Sequence, residues 1–150
     1  MELELVTKKQ DPSLKLLVIL SKAYKTVMEQ VELDVKSRGI SLTDFAVLEL
    51  LYHRGQQPLQ KIADKILLTS GSITYVVNKL EKQGYLTREQ CELDKRVTYA
   101  VISDKGTELL DSIFPGHWDK IKQIMHGLDY HEKEEAIVLL KKLGTAIREL

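Results

Sequence analysis

The sequence is short of several things, and each shortage narrows what the chain can be. It has one cysteine, Cys91, so no disulfide can close within it, and that count suits a reducing compartment. No apolar run approaches the roughly 20 residues that span a bilayer, so no membrane partner is expected. The opening MELELVTKKQD is acidic first, and its apolar run is too short for a secretory signal, so the chain is expected in the cytoplasm. Catalytic signatures are missing: there is no G-x-S-x-G, no P-loop and no G-x-G-x-x-G, which counts against an enzyme. The four histidines, His53, His117, His126 and His131, include no i, i+4 pair, and no metal or other cofactor is expected. Net charge is also absent, with 22 basic residues against 22 acidic ones. That balance alone counts mildly against a nucleic-acid partner. Charge is local, however. Residues 60–99 carry seven basic and five acidic side chains, or +2, while residues 100–150 come to −2.

What is present is pattern. The 150 residues suit one compact domain with a single core. The three prolines, at 12, 58 and 115, act as punctuation. Asp11-Pro12-Ser13 reads as a helix start, and the helix is expected to run to about Arg38 with Gly39 as its stop. Along it Leu14, Leu17, Tyr24, Met28, Val31 and Val35 follow heptad spacing, interrupted only at Ser21. So long a stripe either lies on the chain's own core or packs against a second copy. SLTDFAVLELLYH is a second, nearly buried helix, capped by Ser41 or Thr43 and ended by Gly55. Pro58-Leu59 is a short extended piece. Leu59, Ile62, Ala63 and Ile66 then mark a third helix, and Ser70–Gln83 a fourth, with Gly84 beyond it. Tyr85–Glu89 and Val97–Ile102 read as two strands across a polar tip, Cys91–Arg96. Ser103-Asp104 caps a fifth helix towards Phe114, which Pro115-Gly116 is expected to bend. A last amphipathic helix follows Asp129–His131.

The fourth helix carries the functional argument. Ile73, Val76, Val77 and Leu80 form its core stripe. Its first turn, Thr69-Ser70-Gly71-Ser72, is small and hydrogen-bonding, and its other face offers Tyr75, Asn78, Lys79 and Lys82. A helix that enters the major groove needs small residues where it meets base edges, polar side chains to read them, and lysine for phosphates. A plain surface helix with a Ser/Thr cap would look similar. The hairpin behind it separates the two readings. A basic side chain on such a tip can enter the minor groove, and Arg96 is the candidate, with Asp94 placed to pair with it.

The run LQKIADKILLTSGSITYVVNKLEKQGYLTREQCELDKRVTYAVISDKG resembles the core of the MarR family of winged-helix regulators. LEKQGYL at the helix exit, Asp94 and Arg96 of the wing, and ISDKG at the next helix carry the resemblance. It implies a mainly α fold: a winged helix-turn-helix DNA-binding core with a two-stranded wing at 39–103, flanked by dimerisation helices at 1–38 and 104–150. It further implies a homodimer on a pseudo-palindromic site in double-stranded DNA, tuned by a small molecule or by oxidation. The family's recognition helix maps to Ser70, Ser72, Thr74, Tyr75, Asn78 and Lys79, and its wing to Asp94, Lys95 and Arg96. Many relatives carry arginine where this chain has Tyr75, which leaves open the base preference there. Thiol-sensing members place their cysteine in the first helix, where this chain has none. Cys91, with no neighbouring cation before Lys95, is expected to be inert.

Aromatic residues suggest where a small ligand would sit. Tyr24, Tyr52, His53, Phe114, His117 and Trp118 are placed to line a pocket between the first, second and fifth helices. That is where the family binds aromatic effectors, and a phenolic or quinone-like ligand would suit them. Ordinary packing would explain the same residues. Two functions therefore stand: a homodimeric DNA-binding regulator, acting as a repressor released by an aromatic effector, and a winged-helix module that binds protein without DNA.

Overall fold

The computed structural model describes residues 11–66 and 73–149. Six helices and three strands follow in chain order: α1 (Ser13–Ser37), α2 (Leu42–Arg54), β1 (Gln57–Pro58), α3 (Leu59–Lys65), α4 (Ile73–Lys82), β2 (Leu86–Gln90), β3 (Thr98–Ile102), α5 (Asp104–Ile124) and α6 (Tyr130–Arg148). The architecture is mainly α, a helix-turn-helix with a hairpin wing between long terminal helices.

Local chemistry sets the ends of these elements. The Ser41 hydroxyl accepts from the Asp44 amide and opens α2, and the Ser103 hydroxyl accepts from the Gly106 amide and opens α5. Asp129 and Glu132 form a reciprocal capping box at the start of α6, so that helix begins at Tyr130, inside the stretch expected to precede it. Gly39, Gly55 and Gly84 take positive φ after α1, α2 and α4, a conformation that costs other residues about 1–2 kcal/mol.

The three strands make one antiparallel sheet in the order β1-β3-β2. Leu86 pairs with Ile102 and Gln90 with Thr98, and Gln57 and Pro58 pair with Ala100 and Tyr99. The short extended piece before α3 is thus a third strand, which fastens the helix-turn-helix to the wing. Lys65 Nζ donates to Gln57 Oε1 at 2.6 Å, tying the end of α3 to the same strand.

The core lies where α2, α3, α4, the sheet and the first half of α5 meet. Phe45, Leu48, Leu51, Ile62, Val77, Leu80, Leu86 and Leu110 are fully buried there. The start of α5 rests directly on the base of the hairpin. A Cβ on Gly106 would stand 2.2 Å from the Tyr85 carbonyl oxygen, so no larger residue fits.

Pro115 lies inside the fifth helix, which continues past it and runs from Asp104 to Ile124. Packing explains it. Leu110 and Ile113 before the proline and His117 after it are all buried. That burial offsets the one backbone hydrogen bond proline removes.

The terminal helices contrast with this core. Leu14, Leu16, Leu17, Val18 and Ile19 on α1 are exposed, as are Ile137, Val138, Leu139, Leu140, Leu143 and Ile147 on α6. Helix α6 has no buried residue at all. No helix among the described residues is long and apolar enough to cross a membrane.

Candidate nucleic-acid interface and effector cavity

Helix α4 is strongly two-faced. Val76, Val77 and Leu80 are buried, while Thr74, Tyr75, Asn78, Glu81 and Lys82 are exposed. Ser70 and Ser72, expected in its first turn, lie outside the described residues. Tyr75 stands well out from the surface, 67% exposed. The Asn78 side-chain oxygen accepts from the guanidinium of Arg88 on β2. Arg88 Nε also lies 3.4 Å from Glu81 Oε1, so one arginine ties the wing to the exposed face of α4. Reasoning from sequence counted Arg88 only in the local charge. Its separation of ten residues from Asn78 is set by the hairpin, and no local spacing rule announces it.

Lys79 also makes a contact within the chain. It is half-buried, and its Nζ lies 2.9 Å from Asp44 Oδ2 on α2. Its ammonium therefore faces inward, towards the first turn of α2, and braces one helix against the other.

The wing tip is a compact turn. The Cys91 amide donates to the Val97 carbonyl at 2.9 Å and the Val97 amide to the Asp94 carbonyl at 3.0 Å. Gln90 Nε2 donates to the Lys95 carbonyl at 2.8 Å. Asp94 receives three bonds from Arg96: the backbone amide at 3.1 Å and Nε at 3.0 Å on Oδ1, and Nη2 at 3.2 Å on Oδ2. The guanidinium and amide of Arg96 hold the Asp94 carboxyl below the usual carboxylate range. The Arg96 side chain remains 91% exposed. Asp94 thus aims a cation that is otherwise open to solvent. Lys95 beside it is exposed, and Cys91 is half-buried.

A second feature lies between α1, α2 and α5. A cavity of about 300 Å³ is lined by Val27, Met28 and Val31 of α1, by Leu42, Phe45, Ala46 and Glu49 of α2, and by Phe114, His117, Trp118, Ile121 and Met125 of α5. Three of the six expected aromatic residues meet in it. Phe114 and Trp118 stack with centroids 6.4 Å apart, and His117 stands edge-on to Phe45 at 4.7 Å. Tyr24 lies in a neighbouring cleft with Lys25 and Glu29, and His53 in another with Arg54 and Lys65. Tyr52 donates to Asp111 at 2.5 Å, which pushes its hydroxyl up from the ordinary tyrosine value. His53 remains linked to the cavity wall through Phe114, 4.6 Å away.

Below the cavity, Asp34 joins α1 to α5. It accepts from Arg38 Nε at 3.1 Å and Nη2 at 3.0 Å, and its Oδ2 lies 2.8 Å from His117 Nδ1. The Arg38 guanidinium fills the space over Gly116, where a Cβ would approach to 2.4 Å. Gly116 is thus the seat of the Arg38 guanidinium. Burial alone would raise the Asp34 carboxyl, but the bonds from Arg38 and His117 outweigh it and leave the group below its ordinary range. Among the described residues no cluster of His, Cys, Asp or Glu is placed to hold a metal ion.

Comparison with known proteins agrees with these features. The MarR family profile matches residues 40–98, which contain α2 to the start of β3. The chain is 48% identical over 134 residues to the HTH-type transcriptional regulator MhqR of Bacillus subtilis, covering 89% of this chain and 92% of that protein. The structure of Sco3205, a MarR family regulator from Streptomyces coelicolor solved in complex with DNA, superposes with a TM-score of 0.76 at 23% identity, covering 89% of this chain and 88% of that one. The organohalide-sensing regulator RdhR, solved in its 2,4-dichlorophenol-bound form, superposes with a TM-score of 0.73 at 21% identity over 93% of this chain and 83% of that one. At such identities the two structures share the fold. The close relationship to MhqR goes further, and with the profile match it places this chain in the MarR family of DNA-binding transcriptional regulators, which are not enzymes.

Proposed function

We propose that the chain is a homodimeric repressor that binds a pseudo-palindromic operator in double-stranded DNA and is released by a small aromatic ligand. The observation that carries the DNA reading is the pairing of Asp94 with an otherwise exposed Arg96 at the wing tip, beside a helix whose outer face is polar. In this reading α4 enters the major groove through Thr74, Tyr75 and Asn78, with Ser70 and Ser72, which precede it in sequence, also contacting DNA, while Lys79 holds the helix in place through Asp44. The wing lays Lys95 and Arg96 against the minor groove, aimed by Asp94. The exposed apolar faces of α1 and α6 support a dimer built from residues 1–38 and 104–150, since a chain that leaves so much of two helices uncovered needs a second copy to bury them. Half-sites about 34–36 Å apart, one turn of DNA, would then be engaged together. A regulator of chromosomal DNA acts in the cytoplasm. The cavity between α1, α2 and α5 suits a phenolic or quinone-like effector, and the dichlorophenol-bound relative supports that class.

The test is fluorescence anisotropy on DNA from directly upstream of the protein's own gene, with scrambled DNA as control and a salt series on both. Specific binding is expected to weaken with salt at a log–log slope of about −0.9 per neutralised phosphate. Arg96→Ala is expected to cost about 1–3 kcal/mol of binding. Unchanged affinity in that variant would remove the wing from the interface. No binding to either DNA at low salt would turn the assignment to a protein-binding winged helix, which the zero net charge favours. Light scattering is expected to give twice the 17.2 kDa chain mass, and a monomer would overturn the dimer.

A further inference from the structure

The side chains lining the cavity are apolar or aromatic apart from two, His117 and Glu49. His117 is already engaged, with Nδ1 on Asp34 at 2.8 Å and its ring against Phe45. No lysine or arginine is among the described residues that line the space. Glu49 therefore supplies its one acidic group. His53 Nε2 lies 3.8 Å from that carboxylate, beyond hydrogen-bond reach. Its side chain is 33% exposed, so it sits at the wall between apolar interior and water. Burial pushes the Glu49 carboxyl up, while His117 and His53 pull it partly back.

We propose that Glu49 selects the cavity's ligand by charge, admitting neutral hydroxyl-bearing aromatic rings and turning away aromatic carboxylates. The inference rests on the cavity being the effector site. A neutral ring stacks among Phe114, Trp118 and His117 and donates its hydroxyl proton to a Glu49 oxygen that has no other donor close by. A ring of the same size bearing a carboxylate brings a second negative charge into a poorly solvated space that holds no lysine or arginine and whose one imidazole, His117, is already engaged by Asp34. Such a pairing is disfavoured both by repulsion and by desolvation. An apolar pocket discriminates weakly between rings of similar shape, so an unpartnered polar group on its wall decides specificity.

The experiment is isothermal titration calorimetry of the full-length protein with two probes of one ring pattern, 2,4-dichlorophenol and 2,4-dichlorobenzoate, on wild type and on Glu49→Gln. Glutamine keeps the size and the acceptor oxygen and removes the charge. The wild type is expected to bind the phenol and to bind the benzoate at least roughly tenfold more weakly. In Glu49→Gln the phenol should hold within a few-fold while the benzoate gains on the order of tenfold, closing the gap. Equal binding of the two probes by wild type, or a gap unchanged in Glu49→Gln, would overturn the role of Glu49 while leaving the cavity as a ligand site. Binding of neither probe by either protein would overturn the cavity reading itself, and the proposal with it. Circular dichroism and operator binding of Glu49→Gln are expected to match wild type, which separates selection from folding.

Discussion

Lys79, in the second turn of α4, reaches Asp44 in the first turn of α2 with Nζ 2.9 Å from Oδ2. The other Asp44 oxygen is buried without a hydrogen-bond partner. The lysine therefore neutralises a carboxylate that would otherwise stand almost alone near the core. Lys79→Ala is expected to lower stability by about 1–3 kcal/mol, because it leaves that carboxylate unpaired and poorly solvated. The same variant separates bracing from phosphate contact. Its DNA affinity should keep the wild-type salt slope, whereas Arg96→Ala should flatten the slope by about 0.9. A flatter slope in Lys79→Ala would return Lys79 to the phosphate-contacting set.

Gly106 makes the second prediction. It lies in the first turn of α5, where a Cβ would meet the Tyr85 carbonyl at 2.2 Å and the Ile102 side chain at 2.8 Å. Tyr85 is fixed at that spot, since its carbonyl also accepts from the Ser103 amide at 3.0 Å. Gly106→Ala must then push α5 off the base of the hairpin. A loss of about 1–3 kcal/mol is expected, read as a fall in Tm of roughly 2–4 °C for each kcal/mol. An unchanged melting curve would mean that the helix and the hairpin are not in contact there.

These two residues mark where the sequence could be read and where it could not. Ser41, Ser103 and Asp129 cap their helices through bonds spanning three residues, and such local chemistry leaves a readable spacing. The Asp94–Arg96 pair is equally local, and it forms as the D-x-R spacing suggested. The polar face of α4 was legible from periodicity, but the direction of Lys79 was not. Its partner Asp44 is 35 positions away, and Lys79 sits at the edge of the core stripe, where a flexible side chain can turn either way. Pro115 is a similar case. Local propensity disfavours proline inside a helix, yet α5 continues through it, and just beyond it His117 is held by Asp34, 83 positions upstream, and Gly116 is covered by Arg38. In the cavity, the aromatic residues at successive turns of α5 were legible. Glu49 was not, because a glutamate among leucines on α2 looks like an ordinary solvated position until the fifth helix is laid across it.

The last prediction concerns acid. Asp34 carries the junction of α1 and α5, with Arg38 in a two-point contact and His117 at 2.8 Å. Its carboxyl titrates below its ordinary range in the fold, whereas in the unfolded chain it returns to that range. The unfolded state thus binds a proton more readily than the folded one. The stabilisation from ionised Asp34 is therefore fully present above the unfolded value and is lost as pH falls through the lower, folded one. Urea unfolding from pH 6 to pH 3 should show wild type losing stability on the acid side of about pH 4, where an exposed carboxylate would contribute nothing. Asp34→Asn should start lower at neutral pH, by about 1–3 kcal/mol, because a neutral amide answers Arg38 and His117 less well. It should then lose less than wild type on acidification, so that the two curves converge. Parallel curves across the whole range would show that the junction does not depend on the charge of Asp34.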